Sequence, residues 1–155
     1  MRDPSLSATI SESPLADIIG EGDALFRHHW EEVALNKGVM VLKPDIDRYR
    51  QLEAAGMVIA LAARIGDELV GYSVSFITTH LHYADLVVAN NDVLFVSRAH
   101  RAGRVGLQLI RKTEQAAKAR GARLMLWHAK PATVLEALMP RLGYGVQDVI
   151  FSKEL

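Results

Sequence analysis

Apolar residues in this chain change their spacing several times, and each change marks an element. From Leu15 to Leu35 the positions Leu15, Ile18, Ile19, Leu25, Phe26, Trp30, Val33 and Ala34 recur at steps of three and four, the period of a helix with one buried face. Gly20 and Gly22 interrupt the run and predict two helices instead of one. Weak alternation over Leu6–Ile10 before it predicts a first strand. Pro44-Asp45 opens another helix, with Tyr49 and Leu52 on its inner side and Gly56 at its end.

The spacing then turns strand-like. Met57 to Ile65 is apolar, Gly66-Asp67 is a hairpin turn signal, and Leu69 to Thr79 reads as the return strand. His80 to Asn91 fits either an extension of that strand or a loop. Asp92-Val93-Leu94-Phe95-Val96 is a nearly continuous apolar run, as in a strand covered on both faces. A loop over Ser97–Gly103 leads into a helix ending near Arg120. Its inner face carries Gly106, Leu109, Ile110, Thr113, Ala116 and Ala117, and Gly121 supplies the C-cap. A strand over Arg123–His128, a helix from Pro131 to Leu142 closed by Gly143, and a last strand over Val146–Ser152 complete the order. The fold class expected is a single α/β domain over residues 1–155, with a mixed, mostly antiparallel central sheet flanked by helices.

Composition narrows the function classes. Half of the 155 residues are hydrophobic, enough for a core. Eighteen basic and eighteen acidic side chains cancel, which argues against a nucleic-acid partner, since phosphate contacts demand a basic excess. No cysteine is present, so disulfides, thiolate metal ligands and a cysteine nucleophile are excluded. The opening residues lack the apolar core of a signal peptide, and the run Met57–Ala63 is far shorter than the ~20 residues of a membrane helix. A cytoplasmic protein without a membrane partner is the expectation. A homodimer stays open.

The chemistry concentrates in residues 93–110. A buried strand feeds a short loop of small and basic residues that opens a long helix. The first turn of a helix carries unpartnered N–H groups and about half a unit of positive charge. Ala102, Gly103 and Gly106 would let phosphate approach that backbone, and Arg101 and Arg104 add full charges. There is neither the Gly-Lys-Ser/Thr ending of a P-loop nor the three glycines of a dinucleotide fingerprint. The same glycines could also simply pack a helix.

The loop resembles motif A of the GNAT acetyltransferase superfamily, Q/R-x-x-G-x-G/A after a strand. Arg101 matches its first position and Gly106 its last, while Arg104 stands where glycine is usual. The family's Val-x-Pro-x-x-Arg is met by Val96 to Arg101 without the proline. Leu142-Gly143-Tyr144 is similar to the Leu-Gly-Phe that ends the family's last helix, and the element order matches along the full length. Trp127 to Pro131 resembles phage-associated members.

The resemblance implies acetyl-CoA as co-substrate and an amine, on a small molecule or a peptide, as acceptor. Arg101, Ala102, Gly103, Arg104, Val105, Gly106 and Leu107 would hold the pyrophosphate. Backbone groups of Leu94, Phe95 and Val96 would pair with the pantetheine arm, and an amide near Phe95 would polarise the thioester carbonyl. Without cysteine, transfer is direct, in a ternary complex. The alternative is a non-catalytic CoA-binding or partner-binding module on the same fold.

One departure bears on mechanism. Aligned on Gly143-Tyr144, the family's acid Tyr is replaced by Met139. Expelling a thiol of pKa ~8.5 as thiolate at pH 7 costs about 2 kcal/mol, whereas freeing the lone pair of an amine of pKa ~10.4 costs about 4.6 kcal/mol. A base therefore matters more than the acid. The candidates are His128, at the end of the strand after the motif helix, and Asp92, before the motif strand; each also has an ordinary reading, as a strand-end histidine and a turn aspartate. Tyr72, Tyr83 and Tyr144 are candidate donors, with Tyr144 expected in the core. His80 and His82 share a strand face but lack a third metal ligand. His28 to Glu32 reads as an amphipathic helix anchored by Trp30.

Overall fold

The computed structural model describes residues 7–155, so Leu6 of the expected first strand lies outside the described residues. Five strands, β1 (Thr9–Glu12), β2 (Val58–Ile65), β3 (Glu68–His80), β4 (Tyr83–Val96) and β5 (Leu124–Leu126), form one sheet in chain order. The first four are antiparallel, and β5 pairs parallel to β4. Helices α1 (Leu15–Glu21), α2 (Asp23–Val33) and α3 (Ile46–Ala54) precede the β2–β3 hairpin. Helix α4 (Val105–Ala119) connects β4 to β5, and α5 (Val134–Leu138) runs on as a 3₁₀ turn, Met139–Leu142.

Strand β2 shows why its sequence does not alternate. Ile59, Leu61 and Ala63 pack with Val105, Leu109 and Ala117 on the α4 face. Val58, Ala60 and Ala62 pack with Leu15, Ile18 and Tyr72 on the opposite face. A sheet covered twice needs apolar residues at every position. Leu15 and Ile18 are almost fully buried, each worth roughly 1.5–3 kcal/mol of transfer free energy.

The expected break between the first two helices falls at Gly22. A Cβ there would stand 2.8 Å from Leu69 Cδ2 and 2.9 Å from the Ile18 carbonyl, so the chain turns where only glycine fits. Asp45 caps α3 by accepting from the Arg48 N–H at 3.0 Å. The segment left open at His80–Asn91 is strand: β3 runs to His80, the chain turns at Leu81-His82, and β4 returns at Tyr83. The run Asp92–Val96 is the last third of that long strand.

Helix α4 follows its predicted face, with Val105, Leu109, Ile110, Thr113 and Ala117 buried. Thr113 Oγ1 donates to the Leu109 carbonyl at 2.8 Å and shares a 2.9 Å hydrogen bond with Ser73 Oγ on β3, so the polar pair inside the core is satisfied. Gly121 ends the helix at φ 86°, in the left-handed region expected of a C-cap.

Three expectations near the C-terminus are corrected. The strand predicted over Arg123–His128 shrinks to Leu124–Leu126. The helix predicted from Pro131 starts at Val134, where the Thr133 side chain accepts from Glu136 N–H. The strand predicted over Val146–Ser152 does not form. Val146, Val149, Ile150 and Phe151 are exposed, because no neighbouring edge pairs with them and no layer covers them. An apolar run becomes a strand only where both exist. No helix among the described residues is long and apolar enough to cross a membrane.

Candidate active site

The site is built where the sheet stops being complete. The β4–β5 ladder covers Val88↔Leu124, Ala89↔Met125 and Asn90↔Leu126, and ends there. On its other edge β4 stays paired with β3 through Val96↔Gly71. Between these limits lies a bulge: Val74 faces Val93 and Ser75 faces Asn91, leaving Asp92 as the extra residue. Asn91 holds it in place. Its buried Nδ2 donates to the Val74 carbonyl at 3.1 Å and the Val93 carbonyl at 3.0 Å. The sequence reading overlooked Asn91; the only signal was the polar triplet Asn90-Asn91-Asp92 between two apolar runs.

Beyond the bulge one edge of β4 is bare. Ser97 N–H bonds to the Val70 carbonyl at 2.8 Å. Alternation in an antiparallel ladder then turns the N–H and C=O of Leu94 and Val96 away from β3, into the gap beside β5. Phe95, between them, bonds toward β3 and buries its ring. Gly71 makes this close packing possible, since a Cβ there would lie 2.8 Å from the Phe95 carbonyl oxygen.

The gap leads to the start of α4. The first backbone bond of the helix is Gln108 N–H to the Arg104 carbonyl, and no side chain caps its N-terminus. Among the described residues, the N–H groups of Val105, Gly106 and Leu107 therefore have no protein acceptor. Gly106 has space: a Cβ would meet only Val96 Cγ2, at 3.8 Å. Arg98, Arg101 and Arg104 lie in or beside the loop. This open helix terminus fits a pyrophosphate.

Arg101 is not the free phosphate ligand its motif position suggests. Its Nε donates to the Val96 carbonyl at 2.7 Å, and NH1 and NH2 donate to Glu32 at 2.5 and 2.9 Å. The guanidinium lies 5.0 Å from the centre of the Phe95 ring. Glu32, on α2, also meets Arg98 at 3.5 Å. The hydrogen bond from Arg101 is the main reason the Glu32 carboxyl lies below its ordinary value. A latch thus joins α2 to the loop before α4.

Asp92 and His128 are brought together. Asp92 stands on the bulge and His128 two residues beyond β5, on opposite sides of the gap. Partial burial pushes the Asp92 carboxyl up, and the nearby His128 pulls it partly back. Tyr49 of α3 borders the same group and is itself raised, first by burial and then by the Asp92 charge.

The sequence reading assigned no role to His29 of α2. Its Nδ1 lies 2.7 Å from Tyr72 Oη, and its ring stacks on Phe95 with centres 4.6 Å apart. Beside it a cavity of about 490 Å³ is lined by Leu25, His28, Glu31, Glu32, Phe95, Ser97 and Arg98. A second recess of about 430 Å³ lies between β1 and α3, around Glu12, Glu53 and Arg120, away from the bare edge.

The remaining candidates fall elsewhere. Tyr144 is half-buried instead of core: its Oη accepts from Trp127 Nε1 at 2.8 Å and donates to Glu114 at 2.5 Å. Burial and that carboxylate push its phenol up to about 12. Tyr83 is exposed, and His80 accepts through Nδ1 from the His82 N–H at the turn. Met139 is buried and offers no proton.

A sheet broken at a bulge beside an open helix N-terminus defines an acyl-CoA transferase fold, and comparison with known proteins agrees. The family model for the acetyltransferase (GNAT) family matches residues 23–144, and the chain belongs to that family of N-acetyltransferases. The fold is shared with an aminoglycoside acetyltransferase, HMB0005, from an uncultured soil metagenomic sample, at 21% identity and TM-score 0.72, covering 96% of this chain and 99% of the other. The ribosomal-protein-alanine N-acetyltransferase of Brucella melitensis biovar Abortus 2308 matches at 17% identity and TM-score 0.71, over 96% and 99%. AAC(6')-Iy, solved with the bisubstrate analog CoA-S-monomethyl-acetylneamine, matches at 18% and 0.67, over 96% and 99%. No curated protein matches by sequence.

Proposed function

We propose that this chain transfers an acetyl group from acetyl-CoA directly to a primary amine held between α2 and the end of β5. The observation that carries the reading is the bare edge of β4 running straight into the uncapped start of α4. An extended pantetheine arm can bond Leu94 and Val96 as an added strand would. Its pyrophosphate then meets the N–H groups of Val105, Gly106 and Leu107, with Ala102 and Gly103 small enough to admit it and Arg104 beside it. Arg101 contributes charge from behind, anchored on Glu32.

The acceptor side supports a cationic amine. Glu31 lines the cavity as an exposed carboxylate and takes part in no ion pair among the described residues. Asp92, with His128 beside it, is placed to accept the amine proton, directly or through water, as nitrogen attacks the thioester carbon. Met139 leaves no acid where the family carries Tyr, so the CoA sulfur departs as thiolate.

Thermal melts with acetyl-CoA test the donor, because a ligand that binds only the native state raises Tm by mass action. A panel of polyamines, aminoglycosides and peptide amines, read by thiol release, tests the acceptor. No rise in Tm at millimolar acetyl-CoA would overturn the proposal.

A further inference from the structure

We propose that His29 is a catalytic residue whose Nε2–H donates a hydrogen bond to the thioester carbonyl oxygen as negative charge develops there. The inference rests on acetyl-CoA lying along Leu94–Val96, and it deepens that reading by naming a side-chain donor for the oxyanion.

The argument begins with the buried phenol. Tyr72 is completely buried, and among the described residues its hydroxyl has one hydrogen-bond partner, His29 Nδ1. If Nδ1 were protonated and donated to the phenol oxygen, the phenol proton would be left inside the core without an acceptor. Such a loss carries the full desolvation penalty of a buried donor. Tyr72 therefore donates and Nδ1 accepts, which puts the ring proton of a neutral imidazole on Nε2.

The imidazole does remain neutral. Burial lowers His29 to about 4, opposed by Glu32 and assisted by Arg101 and Lys130. Burial raises the Tyr72 phenol far above its ordinary value, so it keeps its proton. Across the working pH range the pair exists in one form, O–H to Nδ1, with Nε2–H as a fixed donor.

That donor is available and well placed. Among the described residues Nε2 makes no hydrogen bond, and no buried side-chain nitrogen or oxygen lacks a partner. Nε2 therefore reaches open space. The charges that act on the ring come from α2 (Glu32), the loop before α4 (Arg101) and the segment after β5 (Lys130), which together surround the gap beside β4. The ring plane is set by stacking on Phe95, at an interplanar angle of 18°, one residue from the Leu94 amide on the bare edge. Phe95 is itself fixed by Arg101 on the loop side.

The step balances without moving a proton through His29. The amine lone pair forms the C–N bond, and the carbonyl π pair shifts to oxygen, where Nε2–H and the strand amide meet it. The pair then returns as the C–S bond breaks, its electrons leaving with sulfur. The amine proton goes to Asp92 or water. A neutral imidazole is too weak an acid to give up Nε2–H, so it acts as a preorganised dipole.

Nitrogen-15 NMR of the labelled imidazole tests this. The expected spectrum shows the Nε2–H tautomer in the free protein, unchanged from pH 5.5 to 8. The Nε2 proton should shift with acetyl-CoA but not with CoA, which lacks the carbonyl. His29→Ala should lower kcat about 10²–10³-fold, the usual loss for one oxyanion donor. His29→Gln, which keeps an amide donor near the Nε2 position, should recover part of it. The Nδ1–H tautomer, or equal responses to acetyl-CoA and CoA, would overturn the proposal while leaving acetyl-CoA binding intact. No response and no thermal stabilisation by either would remove the acetyl-CoA reading as well.

Discussion

The two ends of β4 differ in one respect. At Val88–Asn90 both edges are paired, to β3 and to β5, whereas beyond Asp92 only the β3 edge is. The first region has nothing to bind, because every backbone donor and acceptor is satisfied. The second presents the N–H and C=O of Leu94 and the N–H of Val96, whose carbonyl already accepts from Arg101, and an extended ligand can complete that edge. The ladder is left incomplete there, with Asn91 fixing the bulge and side chains from α2 and the β5 end flanking it.

The largest effect should come from the groups around the bulge. Asp92→Ala and His128→Ala should each lower kcat/KM by about 10²–10⁴-fold, the range for a positioned acid or base. Burial raises Asp92, so its basic form is lost at higher pH than for an ordinary aspartate. The acid limb of the kcat/KM profile should shift upward accordingly. A carboxyl raised in the folded state is penalised when ionised, and that penalty disappears as pH falls through the folded pKa. Asp92→Asn should therefore leave the melt at pH 7 unchanged or raised while activity falls. Full activity in both alanine variants would leave desolvation of the amine as the surviving mechanism.

Next in size is the paired edge. Gly71→Val places a Cβ against the Phe95 carbonyl and should cost roughly 1–3 kcal/mol in a denaturant melt, as overpacking does. Gly106→Val tests the open end. Its Cβ has room within the protein, so the fold should hold while CoA affinity drops about tenfold, or 1.4 kcal/mol, measured by calorimetry. Unchanged affinity would show that phosphate does not approach this backbone. Tyr144→Phe is the smallest, a loss of about 0.5–1.5 kcal/mol in stability from two hydrogen bonds, with kcat nearly unaffected.

Much of the fold was legible in local pattern. The three- and four-residue spacing of Leu15, Ile18 and Ile19 specified helices, Gly66-Asp67 specified a hairpin, and the inner face of α4 was legible at Leu109, Ile110, Thr113 and Ala117, while Val105 joins it and Gly106 and Ala116 are only partly buried. The segment Val146–Ser152 was not legible, because its apolar residues look like a strand whether or not an edge is there to receive them. The proposed phosphate end of the site was visible as small and basic residues before a helix. The reacting end was only half visible.

By itself, the sequence determined the element order up to the last helix, the strand–loop–helix of residues 93–110 and the absence of any thiol nucleophile. These are properties of neighbours along the chain, where periodicity and residue type suffice. Tertiary structure alone decided that Arg101 is latched to Glu32, that Asp92 stands on a bulge opposite His128, and that His29 meets Tyr72. The last pair is 43 residues apart in sequence, and Arg101 and Glu32 are 69 apart. Such contacts depend on where the sheet sets its covering helix, and no local spacing encodes that distance.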